Sequence, residues 1–202
     1  MRVRKDPEIR QKELMDAALA LFSSAGYKKT MIIDIVKRAG VAKGTFFYYF
    51  ATKDAVLEAI CNRWAHELSA SFQQKSQNHT AIEKLQIFFV ELTLPSQIDV
   101  LIDRLWDEEE FNLVYTIWQK QVATVLNPLL QSIIERGNEE KSMRVEHVEE
   151  TLAFFWSTVD CLLEVGEKKD TEESFLIKTK ITQSILETIL GIPTGKLKLT
   201  VA

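Results

Sequence analysis

The chain has 202 residues, of which 46% are hydrophobic and 27% charged, and its net charge is −4. That composition is typical of a globular protein with a buried core. No apolar run approaches the roughly 18 residues that a membrane-spanning helix needs. Residues 1–55 hold 11 Lys and Arg against 6 Asp and Glu, a net charge of +5, whereas residues 56–202 carry −9. Such asymmetry indicates contact with nucleic acid or a membrane, unless the surface charge clusters by chance.

Helix signals follow one another closely through the first part of the chain. Asp6 is a good N-cap before Pro7 at the first helical position, and Gly26 is a helix stop. Thr52 is a further N-cap, before a fourth helix roughly 35 Å long at 1.5 Å per residue. Apolar residues recur at helical spacing between these signals. They predict helices over residues 7–25, 31–39 and 42–50, and a fourth from residue 53 onward.

The helical pattern continues to the C-terminal region. Thr80 and Glu83 form a capping box, and Leu94-Pro95-Ser96 interrupts the chain. Asn127-Pro128 predicts a kink within a long helix, because proline removes a backbone hydrogen bond. Helices are predicted from residue 80, over 98–105, 107–137, 145–165 and 171–190. No strand pattern is convincing, so the predicted fold is all-α with about nine helices, three in an N-terminal head and six in a C-terminal body.

Nothing in the sequence indicates an enzyme or a metal protein. The chain has no G-x-S-x-G, P-loop or H-E-x-x-H motif. Cys61 and Cys161 stand far apart with no zinc-ligand spacing, so we expect both to be reduced and buried in a cytoplasmic protein. The three histidines are too scattered for a metal site: His66, His79 and His147. We therefore expect no cofactor and no metal.

Residues 33–53 carry the functional signal. A short amphipathic segment ends at Ala39-Gly40, and a second one begins at Val41. Two helices joined by a tight turn that contains Gly are typical of a helix-turn-helix, whose second helix enters the major groove of DNA. This segment lies inside the basic part of the chain, which favours a nucleic-acid contact over chance clustering.

Residues 1–60 resemble the DNA-binding domain of the TetR/AcrR family of transcriptional regulators. The matching motifs are A-L-x-L-F-x-x-x-G-Y at 18–27, D-I-V-x-x-A-G-V at 34–41, K-G-T at 43–45 and Y-Y-F-x-x-K-D at 48–54. The resemblance implies a helix-turn-helix domain at 1–52 and a ligand-binding and dimerisation domain at 53–202. It also implies a homodimer that binds double-stranded operator DNA and responds to a small-molecule effector.

The third helix divides into an inner and an outer side. Phe46 and Phe50 are four residues apart and are expected to face the core. Core packing remains an alternative for Tyr48 and Tyr49, while hydroxyls and cations on the outer side suit phosphate oxygens and base edges. The predicted DNA contacts are Thr30, Lys43, Gly44, Thr45, Phe47, Tyr48, Tyr49 and Lys53.

Three departures from the family pattern put some contacts in doubt. Ala42 stands where a Ser usually caps the recognition helix, and Phe47 stands where a phosphate-binding Tyr is usual. Apolar residues 31–33 replace the polar start of the second helix. Charge for the DNA backbone would then come from other basic residues of the head: Arg2, Arg4, Lys5, Lys28 and Lys29.

The body supplies candidates for an effector pocket and a dimer interface. An aromatic interior suits a lipophilic or planar ligand, although an aromatic on a buried helix face is more often plain core. The pocket candidates are Trp64, Phe88, Phe89, Trp106, Phe111, Tyr115, Trp118, Phe155, Trp156 and Asp160. Apolar stripes on the last two helices suit a four-helix interface, or packing within one chain. The interface candidates are Leu152, Val159, Leu163, Ile177, Ile181, Ile185 and Ile189.

These observations predict a transcriptional regulator without membrane contact. We expect a repressor that binds an inverted repeat as a dimer and is released by a small lipophilic or aromatic ligand. The acidic run 107–110 is interpreted as a solvated helix start. The alternative hypothesis is a helical ligand-binding or scaffolding dimer whose head binds DNA weakly or no longer binds it.

Overall fold

The computed structural model describes residues 6–163 and 171–200. Within these ranges the chain is helical and contains no strand, which confirms the all-α prediction. The helices are α1 (Pro7–Ala25), α2 (Ile32–Arg38), α3 (Lys43–Tyr49), α4 (Lys53–Lys75), α5 (Ala81–Thr93), α6 (Gln97–Asp107), α7 (Phe111–Gln121), α8 (Asn127–Glu139), α9 (Val148–Leu163) and α10 (Glu172–Ile189). A π-helix, Val122–Leu126, joins α7 directly to α8, so the described residues form nine separate helical segments.

Local capping chemistry sets several helix ends where the sequence predicts them. Asp6 accepts the N–H of Glu8 at 2.9 Å, and α1 ends at Gly26, whose φ of 97° suits glycine. The Thr80 hydroxyl and the Glu83 carboxylate complete the capping box of α5. These predictions are confirmed because each depends on neighbouring residues only.

The long helix predicted over residues 107–137 is wrong in its first part. α6 ends at Asp107, and Glu109 adopts a left-handed φ of 60°, which no α-helix accommodates. α7 therefore begins at Phe111. The predicted disturbance near Pro128 takes the form of the π-helix immediately before it, a known cause of helix bending. α9 begins at Val148 rather than residue 145, and residues 164–165 of the predicted helix lie outside the described residues.

The chain divides into two compact units. Unit 1 contains the residues up to Trp64 together with Ser96–Gln119, and unit 2 contains Ala65–Pro95 and the chain from Lys120 onward. Unit 1 has its own core, which includes Phe22, Ile35, Phe46, Leu57, Leu101 and Leu105. The head thus shares a core with α6 and α7. The proposed functional boundary at residue 52 stays a prediction.

The two cysteines differ from the expectation that both are buried. Cys61 is 4% exposed inside unit 1, and burial, more than the nearby Glu58, raises the pKa of its thiol to about 12. Cys161 is exposed on α9, because it lies on the side of that helix opposite the buried Val159 and Leu162. Both are free thiols.

No single helix among the described residues is long and apolar enough to cross a membrane. α5 and α6 reach the required length and composition only when taken together as a bent pair, a property that buried core helices share.

Candidate nucleic-acid interface

A four-residue turn between α2 and α3 creates the helix-turn-helix. Gly40 has a φ of 65°, in the left-handed region that glycine adopts without steric cost. The N–H of Ala39 donates to Ile35 O at 2.9 Å, and that of Val41 donates to Val36 O at 3.0 Å. These bonds close the end of α2 and direct the chain into α3.

α3 presents one buried side and one exposed side. Phe46 and Phe50 are 0% and 4% exposed and belong to the core of unit 1. Phe47 is 48% exposed and Tyr48 79%, while Lys43 and Gly44 also lie at the surface. Two further predicted contacts, Thr45 and Tyr49, are partly buried at the edge of this surface. We call residues 43, 44, 47 and 48 the outer face of α3.

Aromatic contacts orient the rings of the outer face. The Phe47 ring packs edge-on against Phe46, with centroids 5.5 Å apart and an interplanar angle of 84°. Tyr48 packs edge-on against Tyr49 at 4.9 Å. The Nζ atom of Lys43 lies 5.8 Å from the centroid of the Phe47 ring, within cation–π range. The exposed rings are therefore held by neighbours on α3 itself.

Gly44 is not required by the fold of the head. Its backbone is not left-handed, and a Cβ placed on it would meet no atom of the described residues within 4 Å. Glycine lowers helix stability by roughly 0.5–1 kcal/mol relative to alanine. The absence of a side chain at this position thus has no explanation inside unit 1, and it leaves the backbone of α3 open to close approach from outside.

The departures from the family pattern have visible structural counterparts. Ala42 occupies the N-cap of α3 without a side-chain hydrogen bond to the helix. At the start of α2, Met31 is 62% exposed and Ile33 39%. The N-cap of α3 and the start of α2, where the family pattern has hydroxyl or basic residues, therefore expose side chains that cannot bind phosphate.

Lys53 and Thr30 are bonded within the head. Lys53 Nζ donates to Tyr27 O at 2.7 Å and to Thr30 O at 3.3 Å, and it lies 4.0 Å from the centroid of the Tyr27 ring. Thr30 is 3% exposed, and its hydroxyl donates to Gly26 O at 2.6 Å. The structure therefore does not support Thr30 as a phosphate contact. The Lys53 ammonium makes two hydrogen bonds and retains a third donor, so Lys53 stays a predicted phosphate contact.

The acidic run 107–110 is more than a solvated helix start. The N–H of Lys28 donates to Glu108 Oε2 at 2.8 Å, and its Nζ donates to the carbonyl oxygen of Glu108. Glu110 Oε1 lies 3.4 Å from the same Nζ. Sequence reasoning missed this contact because Lys28 and Glu108 lie far apart along the chain, and no local pattern marks it.

Other cations of the head remain at the surface. Lys29 is exposed beside the loop before α2, and Lys37 and Arg38 are exposed in the last turn of α2. Lys28 is engaged by the acidic turn, so it is a weaker candidate for a phosphate contact. The remaining predicted cations lie outside the described residues: Arg2, Arg4 and Lys5.

Comparison with known proteins places this geometry in a family. The model for bacterial regulatory proteins of the tetR family matches residues 14–60, which run from α1 into α4. The HTH-type transcriptional regulator YvdT of Bacillus subtilis is 44% identical over 57 residues, 28% of this chain and 29% of that protein. Residues 14–60 therefore match the DNA-binding domain of the TetR family.

The likeness in fold to solved structures extends over nearly the whole chain. Salmonella enterica GusR has a TM-score of 0.70 and 16% identity, covering 93% of this chain and 98% of its own. FadR from Bacillus subtilis, solved in complex with stearoyl-CoA, has a TM-score of 0.63 and 19% identity, covering 89% and 97%. At these identities the likeness establishes the fold alone. The chain spans between 18% and 51% of the length of three curated relatives that it matches.

The predicted pocket aromatics form two separate groups. Phe88, Phe89, Phe155 and Trp156 are at most 5% exposed and contact one another within unit 2. The second group lies in unit 1 and is more open: Trp64, Trp106, Phe111, Tyr115 and Trp118.

Polar groups near these aromatics differ in their bonding. The indole N–H of Trp156 donates to Asn127 Oδ1 at 2.7 Å, whereas the buried Nε1 of Trp106 has no hydrogen-bond partner among the described residues. Asp160, proposed from its apolar neighbours in sequence, is exposed on α9, because it lies on the outward side of that helix.

The predicted dimer residues also separate. Leu152 and Val159 are 5% and 0% exposed, because they face the core of their own chain, and Leu163 and Ile189 are partly buried. Ile177, Ile181 and Ile185 are 51%, 54% and 41% exposed. The sequence pattern missed Phe154, 68% exposed, and Leu176, 55% exposed, which lie on the same two helices.

Proposed function

We propose that this protein is a TetR-family transcriptional repressor that binds an inverted-repeat operator as a homodimer. The observation that carries the proposal is the outer face of α3. Lys43, Phe47 and Tyr48 are exposed around Gly44. The fold of the head does not require glycine at that position, because an added Cβ would meet no atom of the described part of the chain within 4 Å. A helix with this arrangement can lie deep in the major groove, where its side chains reach base edges and its neighbours bind phosphate. A regulator of this kind acts in the cytoplasm.

The charge distribution supports a polyanionic partner. Residues 1–55 carry +5 in a chain of net charge −4. Lys29, Lys37 and Arg38 are exposed on the loop before α2 and on α2 itself. Such cations release counterions from DNA on binding, so the affinity should fall linearly on a log–log plot against salt.

The test is binding to duplex fragments from the protein's own promoter region, measured by fluorescence anisotropy over a range of salt. We expect wild type to bind one fragment containing an inverted repeat, and Lys43→Ala to bind it at least tenfold more weakly. Lys196→Ala, an exposed lysine in the C-terminal tail, is the matched control and should bind as wild type. Absence of binding to every fragment by folded wild type contradicts the proposal.

A second copy of the chain is the proposed occupant of the apolar side of α9 and α10. Four large apolar side chains are exposed there: Phe154, Ile177, Ile181 and Ile185. A groove of about 380 Å³ runs between the two helices, bounded by Phe154 and Cys161 on α9 and by Ile181 and Ile185 on α10. In a two-fold association, the exposed apolar side chains of one subunit pack into the groove of the other.

We propose the open aromatic group of unit 1 as the contact for the effector. Phe111 and Tyr115 are 45% and 63% exposed, one turn apart on α7. Trp106, whose ring lies 4.6 Å from that of Phe111, has a buried N–H without a partner among the described residues. Leaving such a donor unsatisfied costs about 1–3 kcal/mol, which a ligand acceptor would recover. The effector class is therefore a lipophilic or aromatic molecule with a hydrogen-bond acceptor.

Stearoyl-CoA is the first probe for this effector site, because a protein of the same fold binds it. Tryptophan fluorescence reports on the site directly, since Trp64, Trp106 and Trp118 belong to it. We expect stearoyl-CoA, but not CoA, to change the fluorescence and release DNA, and Trp106→Phe to require about tenfold more ligand. Unchanged fluorescence with DNA still bound contradicts the lipophilic class.

The exposed Phe47 favours a second candidate function, as does Ala42, whose side chain cannot cap α3. A head that lacks a phosphate-binding hydroxyl and a polar cap could belong to a ligand-binding or scaffolding dimer that no longer binds DNA. The promoter titration separates the two functions, because this candidate predicts a folded dimer with no DNA affinity at low salt.

A further inference from the structure

Phe47 is a large apolar ring on the most basic part of the molecule. It is 48% exposed, whereas the other two phenylalanines of α3 and its C-cap are at most 4% exposed. We propose that Phe47 reads thymine in each operator half-site, through contact between its ring and the C5-methyl group in the major groove. This inference rests on the proposed DNA-binding function, and it specifies one base that the recognition helix selects in each half-site.

The Phe47 ring is held in place before any DNA arrives. Phe46 is 0% exposed, and its ring meets that of Phe47 edge-on at 5.5 Å. Lys43, one helical turn earlier on the same face, places its ammonium 5.8 Å from the Phe47 centroid. A ring fixed by a buried neighbour loses little conformational freedom on binding, so contact with one base is favoured over adaptation to several.

The chemistry of the ring restricts what it can recognise. Phenylalanine has no hydrogen-bonding atom, so it cannot bind a phosphate oxygen or a polar base edge. Among the four bases, thymine alone presents an apolar group in the major groove, its C5-methyl. A single contact of this kind therefore distinguishes thymine from cytosine, adenine and guanine.

The surroundings of the ring favour DNA over an apolar protein partner. Lys43 lies beside it, and Tyr48 offers a hydroxyl on the adjacent exposed position. The outer face thus combines one apolar contact with a cation and a hydrogen-bonding group, which matches a thymine flanked by a phosphate or a guanine. The net charge of +5 over residues 1–55 points to the same partner.

The test removes the methyl group alone. Each thymine of a bound promoter fragment is replaced in turn by deoxyuridine, which differs only at C5, and affinities are measured by anisotropy. Loss of one buried methyl is expected to weaken wild-type binding about fourfold per half-site, and about fifteenfold when both symmetry-related thymines are changed. Other thymines should show no change.

Two variants locate the effect on the ring. In Phe47→Ala the thymine and deoxyuridine fragments should bind equally, because the contacting ring is gone. Lys43→Ala should bind both more weakly but keep their ratio. The inference is overturned if wild type binds the fragments equally at every position, or if Phe47→Ala keeps the wild-type ratio. Failure of wild type to bind any DNA overturns the proposed function as well.

Discussion

At the scale of single residues, Lys53 and Tyr27 join the first turn of α4 to the loop that precedes α2. Lys53 Nζ donates to the carbonyl oxygens of Tyr27 and Thr30, and the Tyr27 hydroxyl donates to the carboxylate of Asp54. Tyr27 is 5% exposed. Because α2 follows this loop directly, these bonds determine where the helix-turn-helix begins.

The Tyr27 hydroxyl predicts a loss of stability at alkaline pH. Burial, followed by the hydrogen bond to Asp54, raises the pKa of Tyr27 far above its usual value. A raised folded-state pKa gives a stabilisation that is complete below about pH 10 and lost as the pH rises further. Above about pH 10, the free energy of unfolding in urea should therefore fall more steeply for wild type than for Tyr27→Phe. Tyr48→Phe, which removes an exposed hydroxyl, is the control, and identical slopes for wild type and Tyr27→Phe would contradict this role.

The sequence predicts which residues of α3 face outward, because helical periodicity alone separates Phe46 from Phe47. It does not predict that Lys53 and Thr30 are bonded within the head. Their acceptors are the loop carbonyls of Tyr27, Thr30 and Gly26. The positions of those oxygens follow from tertiary packing rather than from any spacing along the chain.

At the scale of elements, the turn between α6 and α7 holds the loop between α1 and α2. Glu108 accepts from the backbone and side chain of Lys28, and Glu110 lies close to the same ammonium. Caps such as Asp6 and Thr80 are predictable because their partners are two or three residues away. The turn that contains the left-handed Glu109 is not predictable, because its bonds are to Lys28, which lies far away along the chain.

Glu108→Ala tests the contribution of this turn. Removing the carboxylate replaces this bond with one to water, because the Lys28 N–H lies at the surface, so the free energy of unfolding should fall by about 0.5–1.5 kcal/mol. Hydrogen exchange of the Lys28 amide should become faster, which reports on this bond specifically. Asp107→Ala, at the exposed neighbouring position, should leave both values unchanged. Slow exchange of Lys28 in Glu108→Ala would show that the carboxylate does not hold the loop.

At the scale of the whole molecule, the proposed repressor requires two heads on one operator. Each chain carries a single recognition helix, so an inverted repeat needs two-fold symmetry from the body. The exposed isoleucines of α10 and Phe154 of α9 are the surface available for that symmetry. The sequence predicts the stripe on α10, but the inward rotation of Leu152 and Val159 follows from packing within the body.

Ile181→Glu tests the proposed interface. A charge buried between two subunits is strongly unfavourable, so the variant should sediment as a monomer at micromolar concentration while retaining its helicity. Lys180→Glu, the adjacent exposed residue, changes charge in the same direction and should remain a dimer. A dimeric Ile181→Glu would place the interface elsewhere.

The outer face of α3 is proposed to lie against DNA, and the variant Gly44→Ala provides the sharpest test of that contact. The added methyl meets no atom of the described head, so the variant should be more stable than wild type by about 0.5–1 kcal/mol in urea titrations. The same methyl should obstruct close approach of the duplex and weaken promoter binding at least tenfold. If Gly44→Ala is stabilised as predicted and still binds the promoter fragment as tightly as wild type, the outer face of α3 does not lie against DNA.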